Sequence, residues 1–282
     1  MRAGLIDQRP GIEPTSERVD EEHYQSSRED YLIYLYHLAT YRFSLSYVRS
    51  KRILDFGCGT GYGTALIAPE CKSVIGADIS ADAIRYASSK YSDPRVQFVV
   101  VKNVEEEDLP FREGEFDVVL SLQVIEHIKD IDRYLSEIYR VLKVGGVFIA
   151  ATPDRTTRLL SFQKPWNRFH VKEYSAESLG RILTKRFRSV KLFQMGGTSK
   201  IIDFELTRTR RVRWLTLPIT LPITPEWLRI CSLKLLKTIR NSVRFTRDSV
   251  GQLTEFGFSE EDLRIGEGIS PSINIIVVAT RG

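Results

Sequence analysis

Between residues 52 and 153 short runs that are apolar at nearly every position alternate with longer runs that are apolar on one side only. "RILDF", "SVIGADI", "VQFVVV", "FDVVLSL" and "GVFIAATP" are of the first kind. "GTALIA", "ADAIRYASSKY" and "DIDRYLSEIYRVL" are of the second, the last with Ile131, Tyr134, Leu135, Ile138, Tyr139 and Leu142 on one face. A strand without polar alternation must be covered on both sides, and amphipathic helices between such strands supply the cover. The fold class that satisfies both is α/β, a doubly wound parallel sheet with helices on both faces. One further unit comes after it: "SAESLGRILTKRF" reads as a helix capped by a Ser with Glu177 nearby, and "SVKLFQM" as a strand. "INIIVVAT" near the C-terminus is a late strand. Ahead of the alternation, "REDYLIYLYHLATYRFSLSYV" carries Leu32, Leu35, Tyr36, Leu38 and Ala39 at helical spacing, one or two helices that pack on the alternating region. There is no internal repeat.

The first strand runs into "ILDFGCGTGYG", with glycines at 57, 59, 61 and 63. A dinucleotide-binding turn wants GxGxxG, but the third position falls on Tyr62 counted from Gly57 and on Thr64 counted from Gly59. A P-loop needs a Lys after the glycines, and none follows. Asp55 closes the strand, and a carboxylate there repels pyrophosphate but attracts a cation, while bare glycine backbone lets a nucleoside lie close. Asp78 ends the second strand, where an acidic side chain can accept both hydroxyls of a ribose. A nucleoside with a cationic, phosphate-free tail is S-adenosylmethionine.

Composition bounds the rest. With 282 residues, 42% hydrophobic and 27% charged, the chain suits one large globular domain or a domain with a substantial appendage. Cys58, Cys71 and Cys231 lie far apart with no metal-ligand spacing, so neither a disulfide framework nor a metal is expected, and a reducing, cytoplasmic setting is. The first residues lack a signal-peptide apolar core, and no run approaches the roughly 20 apolar residues of a spanning helix. The net charge of +5 is concentrated: residues 200–250 hold 11 Lys or Arg against 4 Asp or Glu, 11 − 4 = +7.

The stretch from about 50 to 195 resembles a class I S-adenosylmethionine-dependent methyltransferase, on "LDFGCGTGYG", "VIGADIS", "VKNVEEEDLPFREGEFDVVLSLQVIEHIKD" and "EIYRVLKVGGVFIAATP" in that order. It is similar to small-molecule methyltransferases that include the ubiquinone-biosynthesis O-methyltransferases, and "NRFHVKEYS" resembles a segment of bacterial members of unassigned substrate, a resemblance that points to sugars or polysaccharide precursors. The resemblance implies a Rossmann-like sheet of seven strands, the last antiparallel and inserted beside the sixth. It implies cofactor contacts at Asp55, Gly57, Cys58, Gly59, Asp78, Ile79, Asn103, Val104 and Ser121. Asn103 stands where the family usually has an acidic residue on the adenine amino group, and its side-chain oxygen can still accept. Glu105, Glu106, Glu107 and Asp108 read as a solvated loop. Methyl transfer needs a base only where the acceptor carries a proton, as a hydroxyl does. His127 and Glu126, in "VIEHI" after the fourth strand, and His170 in "NRFHVKEYS" are the catalytic candidates. His23 and Tyr24 are candidates for a lid.

The domain boundaries are 1–49 for an N-terminal helical lid, 50–195 for the cofactor-binding core, 196–272 for a basic, mainly helical insertion, and 273–282 for the final strand. In the insertion, "RTRRVRW" precedes Trp227 and a basic helix with Leu228, Cys231, Leu235 and Ile239 on one stripe. One expectation is a cap that packs this stripe on the core and walls the acceptor site. The other is peripheral contact of 208–247 with an anionic membrane, at the inner face. No nucleic-acid motif accompanies the charge. The function expected is methylation, at oxygen, of a small-molecule, sugar or lipid-linked acceptor. The alternative is a non-catalytic module that only binds S-adenosylmethionine.

Overall fold

The computed structural model describes residues 27–245 and 256–282, so His23 and Tyr24 lie outside the described residues. The chain order is α1 (Arg28–Val48), β1 (Arg52–Phe56), α2 (Tyr62–Ile67), β2 (Ser73–Asp78), α3 (Ala81–Lys90), β3 (Val96–Val100), β4 (Phe116–Leu122), α4 (Ile131–Val141) and β5 (Leu142–Pro153). Next come α5 (Arg155–Arg158), α6 (Ala176–Leu183), β6 (Ser189–Gly197), α7 (Ser199–Thr216), α8 (Glu226–Phe245), β7 (Leu263–Gly266) and β8 (Asn274–Thr280). Every strand read from an apolar run is present.

The sheet order is β3-β2-β1-β4-β5-β8-β6-β7. From β3 to β5 all pairings are parallel, and β8 lies antiparallel between β5 and β6. The seven expected strands are therefore joined by an eighth: β7, from the segment expected to be helical, pairs with β6 from Gln194↔Gly266 to Gly197↔Leu263. Four residues are too few to carry a period-two signature, and a short strand is a usual way to end a sheet.

Alternation along the strands divides the core. Leu54, Val119, Phe148, Ile275 and Val277 face α4 and α6, while Ile53, Val118, Ile149, Ile276 and Val278 face α1, α2 and α7. α1 is one helix, opened by Ser27, whose Oγ accepts from Asp30 N at 3.1 Å. Its residues Leu32, Leu35, Tyr36 and Ala39 belong to the second core, so this part of the expected lid is a layer of the domain itself. α2 is short and close beneath it: a Cβ at Gly63 would come within 2.0 Å of the Tyr41 ring.

The insertion is anchored at its inner end by Ile201, fully buried in the second core. At its outer end the link between α7 and α8 is tied to residues 163–167. Gln163 Nε2 donates to Thr220 Oγ1 (2.8 Å), Lys164 N to Thr220 O (2.8 Å), and Arg229 Nη1 to Pro165 O (2.6 Å). These bonds turn Arg229 and Leu233 inward, and both are buried. The stripe expected to pack on the core therefore faces out: Leu228, Cys231 and Leu235 are exposed, and the Ile239 side chain lies outside the described residues.

Candidate functional site

Strand order reverses where β1 lies between β2 and β4, and ligands of open α/β sheets gather beyond the carboxyl ends of the strands at such a point. The first turn there is the glycine turn. Gly57 and Gly61 have φ of +82° and +80°, a region that side-chain-bearing residues seldom adopt. Gly57 also has no room for a Cβ, which would stand 2.4 Å from Val124 Cγ2. Gly61 then serves as N-cap of α2.

Beside this turn lies a cavity of about 400 Å³. Of the expected cofactor residues, Gly57, Cys58, Gly59, Asp78, Ile79 and Asn103 line it. Asp78 Oδ2 accepts from Gly59 N (3.0 Å) and Oδ1 from Ser80 N (2.8 Å), so both carboxylate oxygens are held in place by backbone. Ser80, whose Oγ accepts from Ala83 N, caps α3, so Asp78 is not serving as a helix cap. Burial pushes the Cys58 thiol well above its usual range, which keeps it a protonated small side chain.

Three expected cofactor residues stand elsewhere. Asp55 is buried and does not line the cavity; Thr64 Oγ1 (2.6 Å) and Tyr41 Oη (3.1 Å) donate to its Oδ2. Burial raises its pKa to about 6, against the lowering effect of those two hydrogen bonds. Ser121 is fully buried and accepts from Tyr134 Oη at 2.8 Å, because it shares strand parity with Val119 and so faces α4. Val104 is buried in the first core and its carbonyl accepts from Arg133 Nε at 2.9 Å.

Residues not expected complete the cavity: His37 and Tyr41 from α1, Phe56, Thr60, Tyr62, Glu105, Leu122, Gln123, Val124, Ile128 and Phe169. Glu105 is not simply solvated, as the acidic run suggests: its Oε1 accepts from Lys129 N (2.8 Å) and Asp130 N (2.6 Å), which brings the acidic loop against the mouth. Gln123 carries φ +57°, unusual for a residue with a side chain, where the chain turns out of β4. Its place directly after an apolar strand was a usable signal. No described residue of 196–272 lines the cavity, so the described part of the insertion does not wall it.

The three catalytic candidates do come together. His127 and His170 meet edge to face, ring centroids 5.0 Å apart, and with Glu126 they bring one ligand-type atom each within 4.8 Å of one another. Of the three only His127 lines the cavity; Glu126 and His170 are fully buried behind it. His127 does not cap the next helix, since Asp130 accepts from Arg133 N there. Its Nδ1 lies 3.0 Å from Phe169 O, and a carbonyl only accepts, so Nδ1 carries the proton and Nε2 the lone pair. His170 Nδ1 lies 2.8 Å from Glu173 Oε1, and Arg158 forks onto the same carboxylate at 2.9 and 3.2 Å. Burial pushes Glu173 up, but Arg158 and the His170 hydrogen bond overcome it and hold the carboxyl at about 2. Thr152 Oγ1 donates to Glu126 Oε2 at 3.0 Å. Such a set can also hold a metal ion, and no spacing in the sequence announced it.

A family model described as a methyltransferase domain matches residues 54–150, which run from β1 to β5 and contain the glycine turn, Asp78 and the Glu126–His127 pair. Over these residues the chain is similar to methyltransferase domains. A probable S-adenosylmethionine-dependent methyltransferase of Mycolicibacterium smegmatis is 38% identical over 133 residues, 47% of this chain and 50% of that protein. A ubiquinone biosynthesis O-methyltransferase of Mesorhizobium japonicum is 35% identical over 109 residues, 39% of this chain and 43% of that one. The chain thus spans about half the length of the curated relatives it matches. Among solved structures, geranyl diphosphate C-methyltransferase from Streptomyces coelicolor, in complex with Mg2+, geranyl diphosphate and S-adenosyl-L-homocysteine, superimposes with a TM-score of 0.53 at 15% identity. That match covers 95% of this chain and 86% of the other and shows the fold.

The residues present fit S-adenosylmethionine, the methyl donor in the names of the curated relatives. A side chain at Gly57 would collide with Val124, whereas one at Gly59 would meet nothing within 4 Å, so the turn offers bare backbone beside open space. Asp78 presents a carboxylate already fixed by two amides, suited to a diol. Ile79 is exposed beside it, an apolar surface for a flat base. Asn103 Oδ1 accepts from Glu105 N at 3.1 Å and keeps a second lone pair for an amino group.

Proposed function

We propose that this protein methylates an oxygen of a small-molecule acceptor, with His127 as the base that takes the hydroxyl proton. One observation carries the reading. Of the three clustered candidates His127 alone borders the cavity, and its Nδ1 is engaged with the Phe169 carbonyl, which makes Nε2 the proton acceptor. When bound, S-adenosylmethionine supplies a methyl group already activated by the sulfonium, so the residues around it have to align the acceptor and exclude water. His170 and Glu126 are positioning residues: His170 packs against the His127 ring, and the Glu126 carbonyl accepts from Val171 N at 2.8 Å, tying the Phe169–His170 loop to the end of β4. Glu173, held ionised by Arg158, fixes the His170 tautomer.

Oxygen as the methylated atom is supported by the O-methyltransferase names among the relatives. The acceptor is a small molecule, a sugar or a lipid-linked compound. His37, Tyr41, Tyr62 and Phe169 give the cavity an aromatic wall for its apolar or planar part. Peripheral contact of 208–247 with an anionic membrane would bring a lipid-linked acceptor within reach.

The test is turnover of methyl-labelled S-adenosylmethionine over hydroxylated acceptors with the intact chain and with His127→Gln. The reading expects label transfer to oxygen, lost in the variant while S-adenosylhomocysteine still binds. Cofactor binding with no transfer to any acceptor would favour the non-catalytic module instead.

A further inference from the structure

Where α7 ends and α8 begins, large apolar side chains stand in the open. Trp214 is 57% exposed, Leu215 69%, Ile223 86% and Trp227 68%. Phe162, 52% exposed, adjoins them, since its neighbour Gln163 donates through Nε2 to Arg213 O and to Thr220 Oγ1. Isolated exposed apolar residues are ordinary, but a cluster at one tip marks a contact surface. The domain's own core does not account for it, because α7 turns Ile201, Glu205 and Thr209 inward and α8 turns Arg229 and Leu233 inward.

The charges around the tip say what it meets. Arg210 and Arg211 are exposed and precede Trp214 and Leu215 by four positions each, so every pair shares one face of α7, cation behind and apolar residue toward the end. On α8, Trp227 and Lys234 are seven positions apart and share a face in the same way. The only acid in 208–236 is Glu226, and it is engaged by Arg229. From these observations we infer that the α7–α8 tip is a docking surface for an anionic lipid bilayer. Trp214 and Trp227 enter the headgroup boundary, where an indole finds both apolar and polar surroundings. Arg210, Arg211 and Lys234 lie just outside among the lipid phosphates. A second copy of this chain is a poorer occupant, because a two-fold contact would set the same cations against each other. A nucleic acid would neutralise the arginines but leave Leu215 and Ile223 uncovered.

The surface is joined to the site. Residues 160–170 run from Phe162 at the tip to Phe169 at the cavity and His170 behind it. A docked molecule therefore holds its cavity near the bilayer, which deepens the lipid-linked form of the reading above and rests on it for its purpose. The acceptor class that fits is an amphiphile, its polar hydroxylated part in the cavity and its apolar tail left in the membrane.

The test is co-sedimentation of the full chain with vesicles of phosphatidylcholine alone and of phosphatidylcholine with phosphatidylglycerol in equal parts. S-adenosylhomocysteine binding is measured in parallel, so that failure of docking and failure of the methyltransferase reading are told apart. Binding to the anionic vesicles is expected to exceed binding to the neutral ones by about tenfold or more. Trp214→Ser with Trp227→Ser, and separately Arg210→Gln with Arg211→Gln, should each weaken it by about tenfold, with cofactor binding unchanged. All four positions lie on exposed or partly exposed helix surface, so the fold tolerates the changes. A dye sensitive to polarity on Cys231, the exposed cysteine of the three, should brighten on anionic vesicles. The inference is overturned if the intact chain stays in the supernatant, or if the double Trp variant binds as the parent does. It is equally overturned if the surface proves to hold a dimer that the Trp changes dissociate, or an RNA that displaces the vesicles.

Discussion

Asp55 is the residue whose removal should do opposite things to stability and to function. Its carboxyl is buried with a pKa of about 6, against an ordinary value of 3.8, chiefly through loss of water and despite the bonds from Thr64 and Tyr41. The folded-state pKa is raised, so the stability linked to the protonated form is fully present below the unfolded value. It is lost as pH rises through about 6. A difference of 6 − 3.8 = 2.2, at 1.36 kcal/mol each, puts the ionisation penalty near 3 kcal/mol at pH 7, most of it accrued from about pH 4 upward. Asp55→Asn keeps an acceptor for Thr64 and Tyr41 and removes the titration. Its amide N–H group adds an offset of about 1–3 kcal/mol that does not vary with pH. Urea unfolding of both proteins across pH 4 to 7 should show the variant gaining about 2–3 kcal/mol on the parent from the acid end to the neutral end. Asp55 does not line the cavity, but it lies two residues before Gly57, and the loss of its charge there should weaken binding of the cationic S-adenosylmethionine. A stability difference that stays constant across that pH range would refute the argument.

His127→Gln should lower kcat by about 10²- to 10⁴-fold, as steady-state assays would show. Gly63→Ala puts a methyl group 2.0 Å from the Tyr41 ring. Despite the better helix propensity of Ala it should destabilise by about 1–3 kcal/mol, read as a fall in Tm; a rise would mean that α1 does not pack there. A chelator should leave turnover unchanged if Glu126, His127 and His170 handle a proton. Loss restored by a divalent ion would reassign the three as metal ligands.

The sheet was legible because a strand covered on both faces leaves continuous apolar runs, and each run reappears as a strand. The place of the glycine turn and Asp78 beside one cavity was legible because each sits at the carboxyl end of an apolar strand run. The misplaced residues have local causes. That Ser121 faces α4 could have been read from its parity with Val119. The role of Glu105 was hidden in a run of four acids that only the fold tells apart. His170 lies 43 positions after His127, and no periodicity foretells that their rings meet. The stripe of Leu228, Cys231 and Leu235 is a true helical periodicity, but periodicity does not say which side the core is on. Arg229, drawn in by the Pro165 carbonyl, decides that.

Calorimetric titration of the intact chain and of Asp78→Ala with S-adenosylhomocysteine tests the central claim most directly. One site of about micromolar affinity is expected, weakened by about 10- to 100-fold in the variant, since a lost hydrogen bond to a charged group is worth about 1.5–3 kcal/mol. No heat with the intact chain, or equal affinity in Asp78→Ala, would contradict the assignment of the glycine turn and Asp78 as the seat of the methyl donor.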